Sequence, residues 1–237
     1  MSNGWFKYEE RTAETVPEFV SLVLGALRGR YLFRGHANVD WELEPAIDRS
    51  DFSGLQGELE RRDHERLAFA EFKRLALSHL RVSPRNDWEF LTLVRHHGAP
   101  TRLLDWTENP LAALFFAVEP LRRSDAAVWC YTYIETEEAL NLDETPDPLS
   151  VERVVLFRPR HVHPRVWAQS GMLTVHPPGY KSLADPWGPL PLTRIRIPVG
   201  SRAQLRVELQ RVGVHRASLF PDLDGVGQHV YGLCRND

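Results

Sequence analysis

Apolar residues recur with helical spacing over residues 15–29, where Phe19, Leu22, Val23, Ala26 and Leu27 share one face. Thr15 and Glu18 stand at the spacing of a capping box, Pro17 falls in the first turn, and Gly29 supplies a stop. The period then changes to two. Tyr31-Leu32-Phe33-Arg34-Gly35 predicts a short strand with Arg34 on the face of Leu32. Gly35 ends it and admits close approach by another backbone or by a ligand. Residues 36–49 show no period, with Trp41 and Pro45 as anchors. The longest helical pattern covers residues 58–81, with Phe69, Phe72, Ala76 and Leu80 inward and Leu75 alongside. Its other face, with Glu60, Arg61, Arg62, Asp63 and Glu65, reads as solvated. Asn86 with Glu89 opens a helix over residues 86–97, with Trp88 and Leu91 inward and Gly98 closing it. A turn-rich loop follows. Asn109 then caps a helix with Pro110 at its first position, and residues 111–118 are apolar almost all round, so that helix is buried.

Strand-type patterns dominate from there. They cover residues 126–133, 154–158, 165–175 and 194–199, the last half-exposed because arginine alternates with isoleucine. Ser201 and Gln204 open a helix carrying Leu205, Leu209 and Val212, which Gly213 closes. A short helix is expected after Asp222, and residues 135–150 form an acidic surface loop. Helices first and strands later predict an α+β domain, with N-terminal helices packed on a mixed or split β-sheet. There is no internal repeat and no βαβ alternation.

Composition narrows the class. A chain of 237 residues buries a real core. A net charge of −3 argues against a generic nucleic-acid coat while leaving room for a local basic pocket. Cys130 and Cys234 make no disulfide framework, and the first ten residues lack the pattern of a signal peptide. The longest apolar run, residues 111–118, is far short of the about 20 residues a bilayer span needs. A cytoplasmic protein without a membrane partner is the expectation.

Candidate chemistry concentrates in residues 95–110, RHHGAPTRLLDWTENP, together with Arg34. A guanidinium in an otherwise apolar strand either pairs with a carboxylate (Asp105, Glu42 or Glu44) or faces a cleft. In a cleft its planar fork suits phosphate or carboxylate. Thr101, Arg102, Asp105, Trp106 and Thr107 come within seven residues. Arg102 is a second candidate phosphate ligand oriented by Asp105, and Trp106 a candidate stacking platform. The alternative is an Arg–Asp pair that locks the loop, with Trp106 in the core. His96 and His97, about 100° apart on a helix, are poorly placed to share a metal, and one of them is expected at the site. His161 and His163 share a strand face but lack a third ligand at metal spacing, so no metal is expected. Asp222-Leu223-Asp224-Gly225 fits neither a calcium loop, since residue 233 is Leu, nor a phosphatase motif, and reads as a helix cap. The glycine signatures of nucleotide-binding loops and the G-x-S-x-G elbow are absent.

The context YLFRG around Arg34, followed by HHGAPTRLLDWTENPLAALFFAV, resembles the FRG domain, a prokaryotic family named for its Phe-Arg-Gly tripeptide. The family pattern often has Gln where Arg95 stands. Gln169-Ser170-Gly171 and LFPDLDG near the end resemble the extended form of that family. The resemblance implies one domain over residues 1–237, with its core motifs in 15–118 and a strand-rich extension in 126–237. A more distant resemblance is to ADP-ribosyltransferases of the Arg-Ser-Glu type. It implies that Arg34-Gly35 hold the NAD phosphates. It also implies that residues 101–107 and the following helix line the site, and that Gln169 stands where a catalytic Glu is expected. A Gln carries no charge to stabilise an oxocarbenium-like state, so Asp105 or Glu108 becomes the candidate acid.

Three functions follow as expectations. One is an NAD-utilising ADP-ribosyltransferase or NAD hydrolase, an effector in toxin or antiphage defence, with NAD as substrate and a macromolecular ADP-ribose acceptor. Another is a non-catalytic module for a nucleotide or other phosphate-bearing ligand. The last is a nucleic-acid binding or processing protein, which the acid–base mixture of residues 58–66 disfavours. The expected catalytic residues are Arg34, Asp105 and Gln169. The expected ligand-binding residues are Arg34, Gly35, His96, Thr101, Arg102, Trp106 and Thr107.

Overall fold

The computed structural model describes residues 8–26, 30–49, 58–80, 83–133, 145–159, 168–177 and 192–234. Gly29, Arg81, His161, His163 and residues 134–144 of the acidic loop lie outside them. The architecture is α+β. A mixed sheet of seven strands has the order β1-β7-β4-β2-β3-β6-β5. The strands are β1 Tyr8–Thr12, β2 Arg30–His36, β3 Leu103–Thr107, β4 Ala126–Tyr133, β5 Val155–Phe157, β6 Gly171–Val175 and β7 Leu192–Ile197. Among the described residues β1 and β7 pair in parallel and the other pairings are antiparallel.

The helices among the described residues are α1 Val16–Ala26, α2 Glu58–Ala76, α3 Asp87–His96, α4 Pro110–Val118, α5 Arg202–Arg211, α6 Arg216–Leu219 and α7 Leu223–Cys234. Asn86 and Asn109 cap α3 and α4 as their sequence implies: the Asn86 side chain accepts from the Glu89 N–H, and that of Asn109 from Leu111 and Ala112. No helix among the described residues is long and apolar enough to cross a membrane.

Register and pleat put two apolar layers on one face of the sheet. Helices α1, α4 and α5 cover Phe33, Val128, Cys130 and Ile195, while α2 and α3 cover Leu103, Val155, Leu173 and Val175. The opposite face carries Leu32, Leu104, Trp106, Trp129 and Tyr131, closed in part by Leu43. The two halves of the sheet meet at a narrow joint. β2 and β4 pair over seven positions from Arg30 to His36, but β2 and β3 pair only at Phe33 with Thr107. Helix α4 bears directly on β2 beside this joint. A Cβ on Gly35 would sit 2.0 Å from the Ala113 carbonyl oxygen and 2.7 Å from the Ala117 nitrogen. The α4 backbone makes the close approach expected at Gly35, and the strand runs on to His36 instead of ending there.

Several local expectations change. Residues 103–107 are a strand rather than a loop. Leu103 and Leu104 are both fully buried, so a strand covered on both faces shows no period of two. β1 carries the largely polar sequence YEERT on an exposed edge and has no apolar signature. Ser201 makes no side-chain cap; a 3-10 turn at Val199–Ser201 leads into α5 instead, and Val212 lies exposed beyond its end. Glu65 does not lie on a solvated face: it is buried against Arg102. Asp222 caps α7, its carboxylate accepting from the Gly225 N–H at 2.7 Å. Asp222→Ala is expected to cost about 1 kcal/mol. That lowers the melting temperature by roughly 2–4 °C in a chain of this size and leaves ligand binding unchanged.

Candidate functional site

The joint between β2 and β3 is where polar side chains gather. Arg34 leaves β2 and donates from Nη1 to the Asp105 carbonyl oxygen at 2.6 Å, bridging strands whose own pairing has stopped. Its Nε donates to His36 Nε2 at 3.0 Å, and His36 Nδ1 faces the Trp41 carbonyl at 3.2 Å. That assigns the ring a neutral tautomer, with Nδ1 the donor and Nε2 the acceptor. Burial, then Arg34, pushes the His36 pKa down to about 3, in agreement with that tautomer.

From α3, Arg95 donates Nε and Nη2 to Asp105 Oδ2 at 2.8 and 2.6 Å, while Arg34 Nη1 lies 3.8 Å from the same oxygen. Burial pushes the Asp105 carboxyl up, but Arg95 and Arg34 outweigh it and hold it below the usual carboxylate value. Burial lowers the Arg34 pKa to about 10 against the opposing pull of Asp105, so Arg34 remains a cation at neutral pH. Two cations thus share one carboxylate through a single oxygen. Among the described residues, Asp105 Oδ1, Arg34 Nη2 and Arg95 Nη1 take no protein partner.

These groups line a cleft of about 480 Å³, within the range of small-molecule sites. Arg34, Arg95, His96 and Asp105 form its charged end. Trp41, Phe116, Phe220 and Arg122 also line it, with the Arg122 guanidinium 4.8 Å from the Trp41 ring centre and Phe116 edge-on to Phe220 at 5.9 Å. Trp41 is 43% exposed, with Arg122 over its ring and His36 edge-on to it. The loop that carries it is clamped from behind by Arg202, which is buried and donates to the carbonyl oxygens of Ala37, Ala117, Pro120 and Ser124. Arg202 thereby ties the Trp41 loop to the end of α4.

Of the residues singled out in the sequence, Arg34, Gly35, His96, Asp105, Trp106, Thr107 and Gln169 line the cleft, and Thr101 and Arg102 do not. Thr101 is buried, with its hydroxyl on the Leu103 N–H. Arg102 is 1% exposed and spends its guanidinium on Glu65 and the Leu149 carbonyl, so it cannot reach a ligand and Asp105 does not orient it. Trp106 is 3% exposed, with its indole N–H on Thr174 Oγ1 at 2.9 Å, which removes it as a stacking platform. The Thr107 hydroxyl is taken up by the Gln169 carbonyl and the Asn109 N–H. Gln169 sits in the turn before β6, not on a strand, and its amide nitrogen donates to the Leu219 carbonyl at 3.0 Å. The next residue, Ser170, has φ 48°, a left-handed conformation unusual for serine. Glu108 is paired with Arg158 and lies outside the cleft lining. His97, unlike His96, turns toward Phe72 on α2. Among the described residues no group of His, Cys, Asp and Glu is arranged to hold a metal ion.

Arg95, Trp41, Phe116, Arg122 and Phe220 reach the cleft without a sequence pattern that assigned them there. Arg95 stood in the candidate stretch 95–110 without a role of its own; the structure sets it on Asp105.

His36 shares its electrostatic position with His176, which is fully buried, hydrogen-bonded to Thr174 and also shifted by burial to about 3. Both folded-state values lie below the unfolded 6.5, so protonation favours the unfolded chain. Their stabilising contribution is full above pH 6.5 and is lost progressively as the pH falls toward 3. At pH 5 each histidine is expected to cost roughly 2 kcal/mol. Chemical denaturation across pH 4–8 measures this, and His36→Gln or His176→Gln flattens the dependence; an unchanged slope in both variants contradicts it.

No curated protein and no solved structure matches the chain. Residues 29–126 match the family model described as the FRG domain. That stretch holds Arg34, Trp41, Arg95 and Asp105, and stops short of Gln169 and Phe220. The charged end of the cleft therefore lies wholly inside the segment that matches the FRG-domain model.

Proposed function

We propose that the cleft binds a phosphate-bearing nucleotide. The observation that carries this reading is the set of open valences at its charged end. Among the described residues Arg34 and Arg95 each keep a terminal nitrogen without a partner, and both stay cationic. Together they present donors for a phosphate, which guanidinium groups bind with charge-assisted hydrogen bonds. Asp105 keeps an oxygen for a sugar hydroxyl, and the partly exposed Trp41 in the same lining supplies an aromatic group for a base. With Arg122, three cations face one carboxylate across the cleft lining, which favours an anion despite the net negative chain.

A second reading rests on Asp105 itself and makes the ligand NAD. Breaking the nicotinamide–ribose bond leaves the bonding pair on the ring nitrogen and positive charge on the ribose. An ionised carboxylate beside that ribose stabilises the charge, and water or an acceptor then attacks the anomeric carbon and loses a proton. Asp105 is held ionised by two arginines, so it is available for this role where Gln169, with no charge and its amide on Leu219, is not.

The test is nicotinamide release from NAD by the purified protein, read beside the melting temperature with NAD, ADP-ribose and inorganic phosphate. Asp105→Asn separates the readings. It is expected to keep or strengthen nucleotide binding, because a negative charge is removed, and to lower release by about 10²–10³. A thermal shift without release retains the binding module and discards the NAD-cleaving enzyme. No shift with any nucleotide, but steeply salt-dependent binding of single-stranded nucleic acid, replaces both.

A further inference from the structure

The last helix is inside out. In α7 successive residues advance by about 100°. The residues turned to the protein body are Gly225, packed against Phe220, and His229, whose ring stacks on His215 at 4.3 Å. Gln228 and Gly232 line the adjoining groove. Leu223, Val226 and Val230 point away from that groove and are 89%, 45% and 51% exposed; Leu233 lines the groove yet is 57% exposed, and Tyr231 and Cys234 are exposed too. A helix of 12 residues containing three glycines has low intrinsic stability. The burial that ordinarily holds an amphipathic helix is missing here from its apolar side.

The stripe has its own order. Leu223, Val226, Val230 and Leu233 follow spacings of three, four and three, the a and d positions of a heptad. Read in either direction, the order is Leu, Val, Val, Leu. A second copy of the same helix, run antiparallel about a dyad at Gln228, sets Leu223 against Leu233 and Val226 against Val230 at both ends. That is the self-complementarity a two-fold interface requires. A membrane surface fits less well: α7 carries Asp224 in its first turn and no Lys or Arg on its polar face, whereas interfacial helices use basic residues there. Leu121 and Val207, both exposed, line the groove beside Leu233 and extend the apolar area past the helix.

We infer that this face is a homodimer interface, closed by antiparallel pairing of α7 with α7 of a second copy. A 12-residue helix is about 18 Å long, so the contact stands at the small end of specific interfaces and association depends on concentration.

The experiment is the mass in solution by sedimentation or light scattering from about 1 to 100 µM, a range set by the small contact. The wild-type mass is expected to rise from 27.3 kDa toward twice that value. Val230→Asp is expected to remain at 27.3 kDa throughout with an unchanged melting temperature, because residue 230 touches solvent rather than core. A wild-type chain that stays monomeric at the highest concentration overturns the inference, as does a dimer that survives Val230→Asp. A monomer that binds anionic lipid vesicles also overturns it, and assigns the stripe to a membrane. The direction of pairing is read from Cys234, since Cys130 is buried. In the antiparallel pair the two Cys234 residues are about 18 Å apart, so mild oxidation leaves them unlinked. Rapid disulfide formation within the dimer overturns the antiparallel arrangement.

Discussion

Arg34→Ala is expected to lower nucleotide affinity by at least about 10²-fold while the protein still folds cooperatively. The side chain is 13% exposed at the cleft wall, so the groups it leaves behind, His36 Nε2 and the Asp105 carbonyl, can be reached by water. The fold therefore loses on the order of 1–2 kcal/mol, the net worth of two hydrogen bonds. Binding loses more. A phosphate held by a guanidinium gains hydrogen bonds of about 1.5–3 kcal/mol each, and removing the cation also leaves Asp105 less neutralised against an incoming anion. Arg34→Lys separates charge from geometry. An ammonium keeps the charge but cannot serve His36, Asp105 and a phosphate at once, so an intermediate affinity is expected. Isothermal titration or a thermal-shift series with ADP-ribose measures both variants. Wild-type affinity in Arg34→Ala removes the cleft as the binding site.

Arg102→Ala is expected to act in the opposite sense, on stability rather than on binding. Arg102 joins three parts of the chain. Its guanidinium and backbone N–H both bond to Glu65 on α2, and Nη1 donates to the Leu149 carbonyl in the turn Pro148–Ser150. It stands immediately before β3. Arg102 and Glu65 are 1% and 3% exposed, so truncating one strands the other's charge where water does not reach it. The expected loss is about 3–5 kcal/mol. Arg102→Met combined with Glu65→Leu is expected to recover most of it, because an apolar pair of similar volume avoids the desolvation of two charges. Urea denaturation reads both variants, with nucleotide affinity taken on the folded fraction. A normal denaturation midpoint with lost affinity would place Arg102 at the ligand after all.

These two arginines show how far the sequence could be read. Arg34 and Arg102 each stand in a short apolar stretch near chemistry-bearing residues, and nothing in their neighbours along the chain separates them. The difference comes from partners distant in sequence: Glu65 lies 37 residues from Arg102 and completes it, whereas Arg34 meets a backbone carbonyl and a carboxylate already held by Arg95. Local signals did better where local physics decides the outcome. Asn86, Asn109 and Asp222 cap their helices because the acceptor is within three residues of the N–H it satisfies. Gly98 and Gly213 follow helices with φ of 84° and 81°, a conformation side chains resist. β1 and β3 were missed for opposite reasons. One is polar along an exposed edge and the other is apolar on both faces, so neither shows the alternation that marks a half-buried strand. The stacking surface was assigned to Trp106 on composition, but that ring is buried with its N–H on Thr174, and the exposed ring beside the site is Trp41, in an irregular segment.

The parallel pairing of β1 with β7 has a consequence for the order in which the protein is made. Tyr8 pairs with Leu192, so β1 waits until β7 has been made. At about 5–20 residues per second that interval is roughly 10–40 s. From its own synthesis until the end of that interval β4 presents an unpaired edge, because its neighbour on that side is also β7. The β2–β4 hairpin-like core and its α4 cover can assemble early from segments much closer in the chain. The outer two strands then close the sheet as a final, high-contact-order step. Newly made chains are therefore most prone to edge-to-edge association between the synthesis of β4 and that of β7, and a chaperone that shields β4 during that interval would raise the yield of folded protein without touching the stability of the finished fold.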